Sequence, residues 1–138
     1  MSTRTGQCMC GAVSFTARDV PDTFGACHCE MCRRWAGGPF LAVTCGEVTW
    51  TGVAPKVLTT SAWAERGFCE ACGSAMFYRI TADGPMKGLT TVAFGTLDDQ
   101  TGFEIGREYY VDLKPEAYTL AGEREGLTEA QIQAMFGG

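Results

Sequence analysis

The stretch Cys8-Met9-Cys10-Gly11-Ala12-Val13-Ser14-Phe15-Thr16-Ala17 carries two signals in succession. Its first part is a C-x-C hook, which sets two thiols within one turn of backbone where a single cation can gather both. Its second part, from Gly11 to Ala17, alternates apolar and polar residues with the period of a half-buried strand. The same alternation recurs at Phe40 to Thr44, Glu47 to Thr51, Lys56 to Thr60, Ala75 to Ile80 and Leu89 to Phe94. Glycine or proline punctuates these runs at Gly46, Gly52, Pro55, Gly73, Gly84-Pro85 and Gly95. A mainly β fold follows.

Two short helices interrupt it. One begins near Cys29 and passes Arg33, Arg34 and Trp35 before Gly37-Gly38 ends it. The other opens on a capping box, Thr128-Glu129-Ala130-Gln131, and continues through Ile132, Ala134, Met135 and Phe136. Residues 98–108 are rich in Asp, Gly and Glu and read as an exposed loop. The chain is expected to be a single domain over residues 1–138, with a motif core at about 6–95 and a C-terminal extension at about 96–138.

The bulk numbers fit. A chain of 138 residues is of ordinary single-domain size, and 46% hydrophobic residues indicate a globular protein. Eighteen glycines suit many turns better than a helical bundle. A net charge of −5 argues against a nucleic-acid footprint. Met1 to Gly11 has no apolar run of the signal-peptide kind, and nothing approaches the ~20 apolar residues of a membrane span. A cytoplasmic location is expected, where clustered thiols bind metal in preference to forming disulfides. An eight-cysteine disulfide scaffold is the rival arrangement.

Seven of the eight cysteines cluster, as C-x-C at 8–10, C-x-C-x2-C at 27–32 and C-x2-C at 69–72. Seven ligands exceed one tetrahedral zinc and fall one short of two. Cys69 and Cys72, followed by Gly73, form a knuckle whose partner pair is Cys8 with Cys10 or Cys27 with Cys29. Because Cys27, Cys29 and Cys32 already make three thiolates locally, economy assigns Cys8, Cys10, Cys69 and Cys72 to a closed structural zinc. The middle cluster becomes an open three-thiolate site. A fourth protein ligand would close it, and His28 is the obvious candidate. In an extended Cys-His-Cys triplet, however, the middle side chain points away from its neighbours. Cys45 has the setting of a core cysteine.

The motifs C-x-C-G at 8–11, C-H-C-x2-C-R-R at 27–34 and F-C-x2-C-G-S at 68–74 resemble the glutathione-dependent formaldehyde-activating enzymes. That family also includes centromere protein V. The resemblance covers roughly residues 6–95. It implies a small zinc-stapled β-sandwich or β-tent-like domain with two zinc ions. It also implies a carbon–sulfur lyase activity that joins formaldehyde to glutathione as S-hydroxymethylglutathione. Carried over by residue, Cys8, Cys10, Cys69 and Cys72 match the structural ligands, and Cys27, Cys29 and Cys32 match the catalytic ones. Gly11 and Arg33 match recurrent positions to which the resemblance attaches no role.

The leading expectation is therefore a zinc-dependent lyase acting on a glutathione-like thiol and a small aldehyde. A zinc held by three thiolates is a weak Lewis acid, better suited to a soft thiolate or a reactive carbonyl than to hydrolysis. Arg33, Arg34 and Arg66 are candidate anchors for a substrate carboxylate. Trp35, Phe40 and Trp63 are candidate pocket walls. The alternative is a non-catalytic zinc-binding module that recognises a ligand or a protein partner, with Gly122-Glu123-Arg124-Glu125-Gly126 offering contacts. A third possibility is a redox or metal-storage cluster.

Overall fold

The computed structural model describes residues 1–135. It is mainly β. The first strands are β1 (Ser2–Gln7), β2 (Val13–Val20) and β3 (Thr23–Cys27), followed by helix α1 (Glu30–Ala36). Next come β4 (Phe40–Cys45), β5 (Glu47–Gly52), β6 (Lys56–Thr59), β7 (Ala64–Phe68), β8 (Ala75–Ile80) and β9 (Thr90–Ala93). The chain continues through β10 (Glu104–Tyr109), β11 (Glu125–Leu127) and helix α2 (Glu129–Met135). No helix among the described residues is long and apolar enough to cross a membrane.

All six strands expected from alternation form, and β8 matches its expected span residue for residue. Both helices form as well. Gly37, with φ 79°, closes α1 by donating its N–H to the Arg33 carbonyl at 2.9 Å. Thr128 and Gln131 make the reciprocal bonds of a capping box: Gln131 N donates to Thr128 Oγ1 at 3.3 Å, and Thr128 N donates to Gln131 Oε1 at 2.8 Å. Phe136, assigned above to this helix, lies outside the described residues. The reading of 98–108 as an exposed loop needs correction. Residues 104–108 belong to β10, in which Arg107 pairs with Glu125 and Glu108 with His28 and Arg124.

The strands form two sheets, one of three strands in the order β1-β2-β5 and one of eight in the order β11-β10-β3-β4-β9-β8-β7-β6. Strand β10 runs parallel to both β3 and β11, and the other pairings are antiparallel. The core lies between the sheets. Val13, Phe15 and Ala17 of β2 face Val43 of β4, Phe77 of β8 and Val92 of β9 in one buried cluster. Three aromatic rings carry the contact across: Phe15 meets Trp50 of β5 at 5.2 Å, and Trp50 meets Phe77 at 5.2 Å. The alternation of β2 is thus explained by a single buried face.

Register determines what lies on the other face of the large sheet. Val43, Val92, Phe77 and Gly67 are cross-strand partners and point into the core. Their neighbours in sequence point the opposite way, so Phe40, Tyr78 and Arg66 share the outer face with Cys27, the partner of Phe40 and Tyr109. Helix α1 covers part of this face. At Gly67 the core is too tight for any side chain, because a Cβ there would lie inside the envelope of the buried Phe77 ring. Gly67→Ala is therefore expected to destabilise the protein by about 3 kcal/mol, read from the urea midpoint. Phe77→Leu in the same chain recovers part of the loss if the clash is the cause.

Candidate metal centre

The first cysteine cluster lies where two hairpin loops from different sheets meet. Cys8 and Cys10 occupy the turn from β1 to β2, and Cys69 and Cys72 the turn from β7 to β8. Each turn ends on a left-handed glycine, Gly11 with φ 82° and Gly73 with φ 80°. A side chain is disfavoured there by backbone conformation, since the space beside both residues is open. Backbone bonds tighten both turns: Cys8 N to Val13 O at 2.9 Å, and Gly73 N to Cys69 O at 2.7 Å.

All four sulfurs lie within 4.8 Å of one another. Sulfurs around one tetrahedral zinc at about 2.3 Å stand about 3.8 Å apart. Cys8 and Cys10 Sγ are 3.6 Å apart, and Cys10 and Cys69 Sγ 3.8 Å. The donor set is consistent with zinc. Ser74 links the two turns, since its Oγ accepts from Met9 N at 3.0 Å and lies 3.1 Å from Cys72 Sγ. That hydroxyl leads the contacts that bring the Cys72 thiol down to about 5.

The second cluster gathers Cys27, Cys29 and Cys32, again within 4.8 Å of one another. Cys27 ends β3, Cys29 is the N-cap of α1, and Cys32 sits buried in the first turn of that helix. The Cys29 sulfur accepts the Cys32 N–H at 3.3 Å, so capping itself turns the thiol inward. Hydrogen bonds from the Cys27 and Cys32 thiols, joined by that N–H and the Arg66 charge, bring Cys29 down to about 2 despite burial. Cys27, donating to Cys29, is pushed up. Among the described residues no fourth His, Cys, Asp or Glu joins this set.

His28 stands between two of these cysteines yet faces away from them. It is fully buried, with Nε2 2.7 Å from Glu108 Oε1 and Nδ1 2.8 Å from the Tyr118 hydroxyl. Glu108 Oε2 accepts from Arg124 Nη1 at 2.6 Å. Burial would raise the Glu108 carboxyl, but hydrogen bonds from Arg124 and His28 outweigh it and hold it low. A carboxylate only accepts, so Nε2 carries the proton. Arg124, offered above as a surface contact residue, is a member of this interior network instead. Cys45 lies in the core, where burial pushes its thiol up to about 11.

The three candidate arginines separate. Arg34 is exposed and paired with Glu30 at 2.9 Å. Arg33 donates to the His28 carbonyl at 2.9 Å. Arg66 is buried, with both terminal nitrogens on the Cys32 sulfur, and so is not a solvent-facing anchor. Trp35 and Phe40 pack together near this site with ring centroids 5.1 Å apart, whereas Trp63 is exposed beyond β6. Two tyrosines that no motif marks also border the cluster. Tyr78 and Tyr110 are each pushed up to about 12, chiefly by burial and further by the thiolate charges. Tyr110 holds a left-handed backbone, φ 58° and ψ 47°, which is uncommon for a bulky side chain.

The chain resembles known proteins over most of its length. A family model described as glutathione-dependent formaldehyde-activating enzyme matches residues 3–113. An uncharacterized lyase of Schizosaccharomyces pombe is 26% identical over 129 residues, 92% of each chain. A Halomonas elongata protein provisionally named as a glutathione-dependent formaldehyde-activating enzyme is 34% identical over 83 residues, 52% of this chain and 53% of its own. A similarly named Aspergillus flavus protein is 33% identical over 92 residues, 57% of this chain and 44% of its own. The match therefore spans about half the length of the relatives named for formaldehyde activation. With most of its length matched by the family model, the chain belongs to the glutathione-dependent formaldehyde-activating enzyme family.

Proposed function

We propose that the protein is a zinc-dependent carbon–sulfur lyase that joins a glutathione-like thiol to a small aldehyde such as formaldehyde, and runs the reverse cleavage. The observation that carries this reading is the unequal division of the cysteines. Four sulfurs make a complete tetrahedral donor set, and three make a set with one position over. In this reading Cys8, Cys10, Cys69 and Cys72 hold a structural zinc, and Cys27, Cys29 and Cys32 a catalytic one. The names of the family and of the Halomonas and Aspergillus relatives support glutathione and formaldehyde as the substrate pair.

A zinc held by three thiolates supplies one remaining coordination position, suited to a soft thiolate or an aldehyde oxygen. In the addition, the thiol sulfur forms a bond to the carbonyl carbon, and the carbonyl π pair moves to oxygen. That oxygen takes up the proton the thiol has given up, so no other reactant is needed. The protein's share is positioning. Tyr78 and Tyr110 keep their protons far above neutral pH and remain hydrogen-bond donors beside the cluster. Trp35 and Phe40 limit water on the α1 side.

Two experiments test the division. Cys29→Ser is expected to reduce the metal content from two zinc ions to one. Its turnover of glutathione and formaldehyde, read by exchange NMR against the spontaneous reaction, falls by more than about 100-fold, beyond the usual effect of outer contacts. Full activity in that variant would sink the proposal, as would two retained metals. Cys10→Ser tests the other cluster, and because Cys10 is exposed its loss removes a ligand without opening the core. Structural zinc contributes on the order of 10 kcal/mol, comparable to a whole domain's stability. Cys10→Ser should therefore lose its cooperative thermal transition, while Cys29→Ser keeps it.

A further inference from the structure

Arg66 is placed where a cation is costly. It belongs to β7, shares its face with Tyr78, and is only 5% exposed. Its guanidinium lies between two aromatic rings, 4.8 Å from the centroid of Trp35 and 5.0 Å from that of Tyr78. Nη1 and Nη2 both donate to Cys32 Sγ, at 3.6 and 3.5 Å, and Nε has no hydrogen-bond partner. Among the described residues no carboxylate pairs with it. A buried charge persists only when an opposite charge compensates it. For Arg66 that opposite charge is the thiolate cluster.

The charges then add simply. A divalent metal with three thiolates carries −1, and a fourth thiolate would bring the site to −2. With Arg66 against Cys32 these sums become 0 and −1. We infer that Arg66 is a positioning residue that sets the ligand preference of the three-cysteine site, making its open position accept an anionic thiolate in preference to a neutral donor. It acts through Cys32 and touches no substrate. The ring sandwich holds the guanidinium over the sulfur and keeps water from screening it, while the two N–H···S bonds draw electron density from the ligand. This inference rests on the reading that Cys27, Cys29 and Cys32 hold a divalent metal.

The test uses the full-length chain loaded with cobalt(II), as wild type, R66Q and R66K. Each is titrated with 2-mercaptoethanol, which binds as a singly charged thiolate without a carboxylate, and separately with imidazole, a neutral donor. Sulfur-to-cobalt charge-transfer bands report binding at the open site. The saturated four-sulfur cluster gives a spectrum unaffected by added ligand, which reports folding. R66Q should weaken thiolate binding by about tenfold or more and change imidazole binding far less. R66K keeps the charge and should keep most of the thiolate affinity. Unchanged thiolate affinity in R66Q overturns the role of Arg66, and so does an equal loss for both ligands. Should R66Q lose the four-sulfur spectrum, R66K decides alone, and a folded R66K with tenfold weaker thiolate binding overturns the proposal. A wild-type chain that takes cobalt only at the four-sulfur cluster overturns the metal reading on which the inference rests.

Discussion

Four sulfur atoms join two loops that belong to different sheets, and the rest of the molecule is arranged around that junction. The three-stranded sheet is small, and a sheet of that size depends on burying its apolar face. It adheres to the large sheet through Phe15, Trp50 and Phe77, and at one end through Cys8 and Cys69, which are themselves buried in the core. Thiols packed at 3.6 to 3.8 Å have little to offer one another as weak hydrogen-bonding groups. A cation shared among them would turn the same crowding into attraction. The left-handed glycines, the backbone bonds of both turns and the Ser74 bridge all serve to keep these sulfurs converged.

Strand alternation does the comparable work at the second cluster. Cys27 and His28 are consecutive, so one points to the outer face of the large sheet and the other into the interior. A single tripeptide thereby feeds two separate systems, a thiolate cluster on one side and a Glu108–His28–Tyr118 network on the other. The network is made largely from residues beyond 100, and it joins the C-terminal part of the chain to the strand that carries the cluster. That part of the chain is thus integral to the sheet, through β10, and to the setting of the site.

The parts of this structure that sequence could convey are those with local pattern. Cysteine spacing marked the local thiol groups, because thiols on one turn are close in sequence, whereas the pairing of Cys8 and Cys10 with Cys69 and Cys72 came from dividing seven cysteines between two sites. Alternation identified β2, β4, β5, β6, β8 and β9. Strand β7 escaped notice since Arg66 and Gly67 are both buried, one against sulfur and one beneath a phenyl ring, which breaks the period of two. Strand β10 was hidden by its charges, of which Arg107 is taken up by Glu125 and Glu108 by His28 and Arg124. Tyr78, Glu108, Tyr110 and Tyr118 gather near the cysteines only through sheet register and chain return. Nothing in their immediate neighbours distinguishes them from ordinary strand and loop residues.

Strand β7 and the turn that follows it reach both clusters within four residues, through Arg66 to one and Cys69 to the other. Between them lie Gly67, pressed against Phe77, and the shift in register that precedes Phe68. The step from 66 to 69 therefore behaves as a spacer of fixed length. Adding or deleting one residue would leave the knuckle free to form, yet turn the guanidinium to the opposite face of the sheet. Two centres that look independent in sequence are held in phase by three peptide bonds.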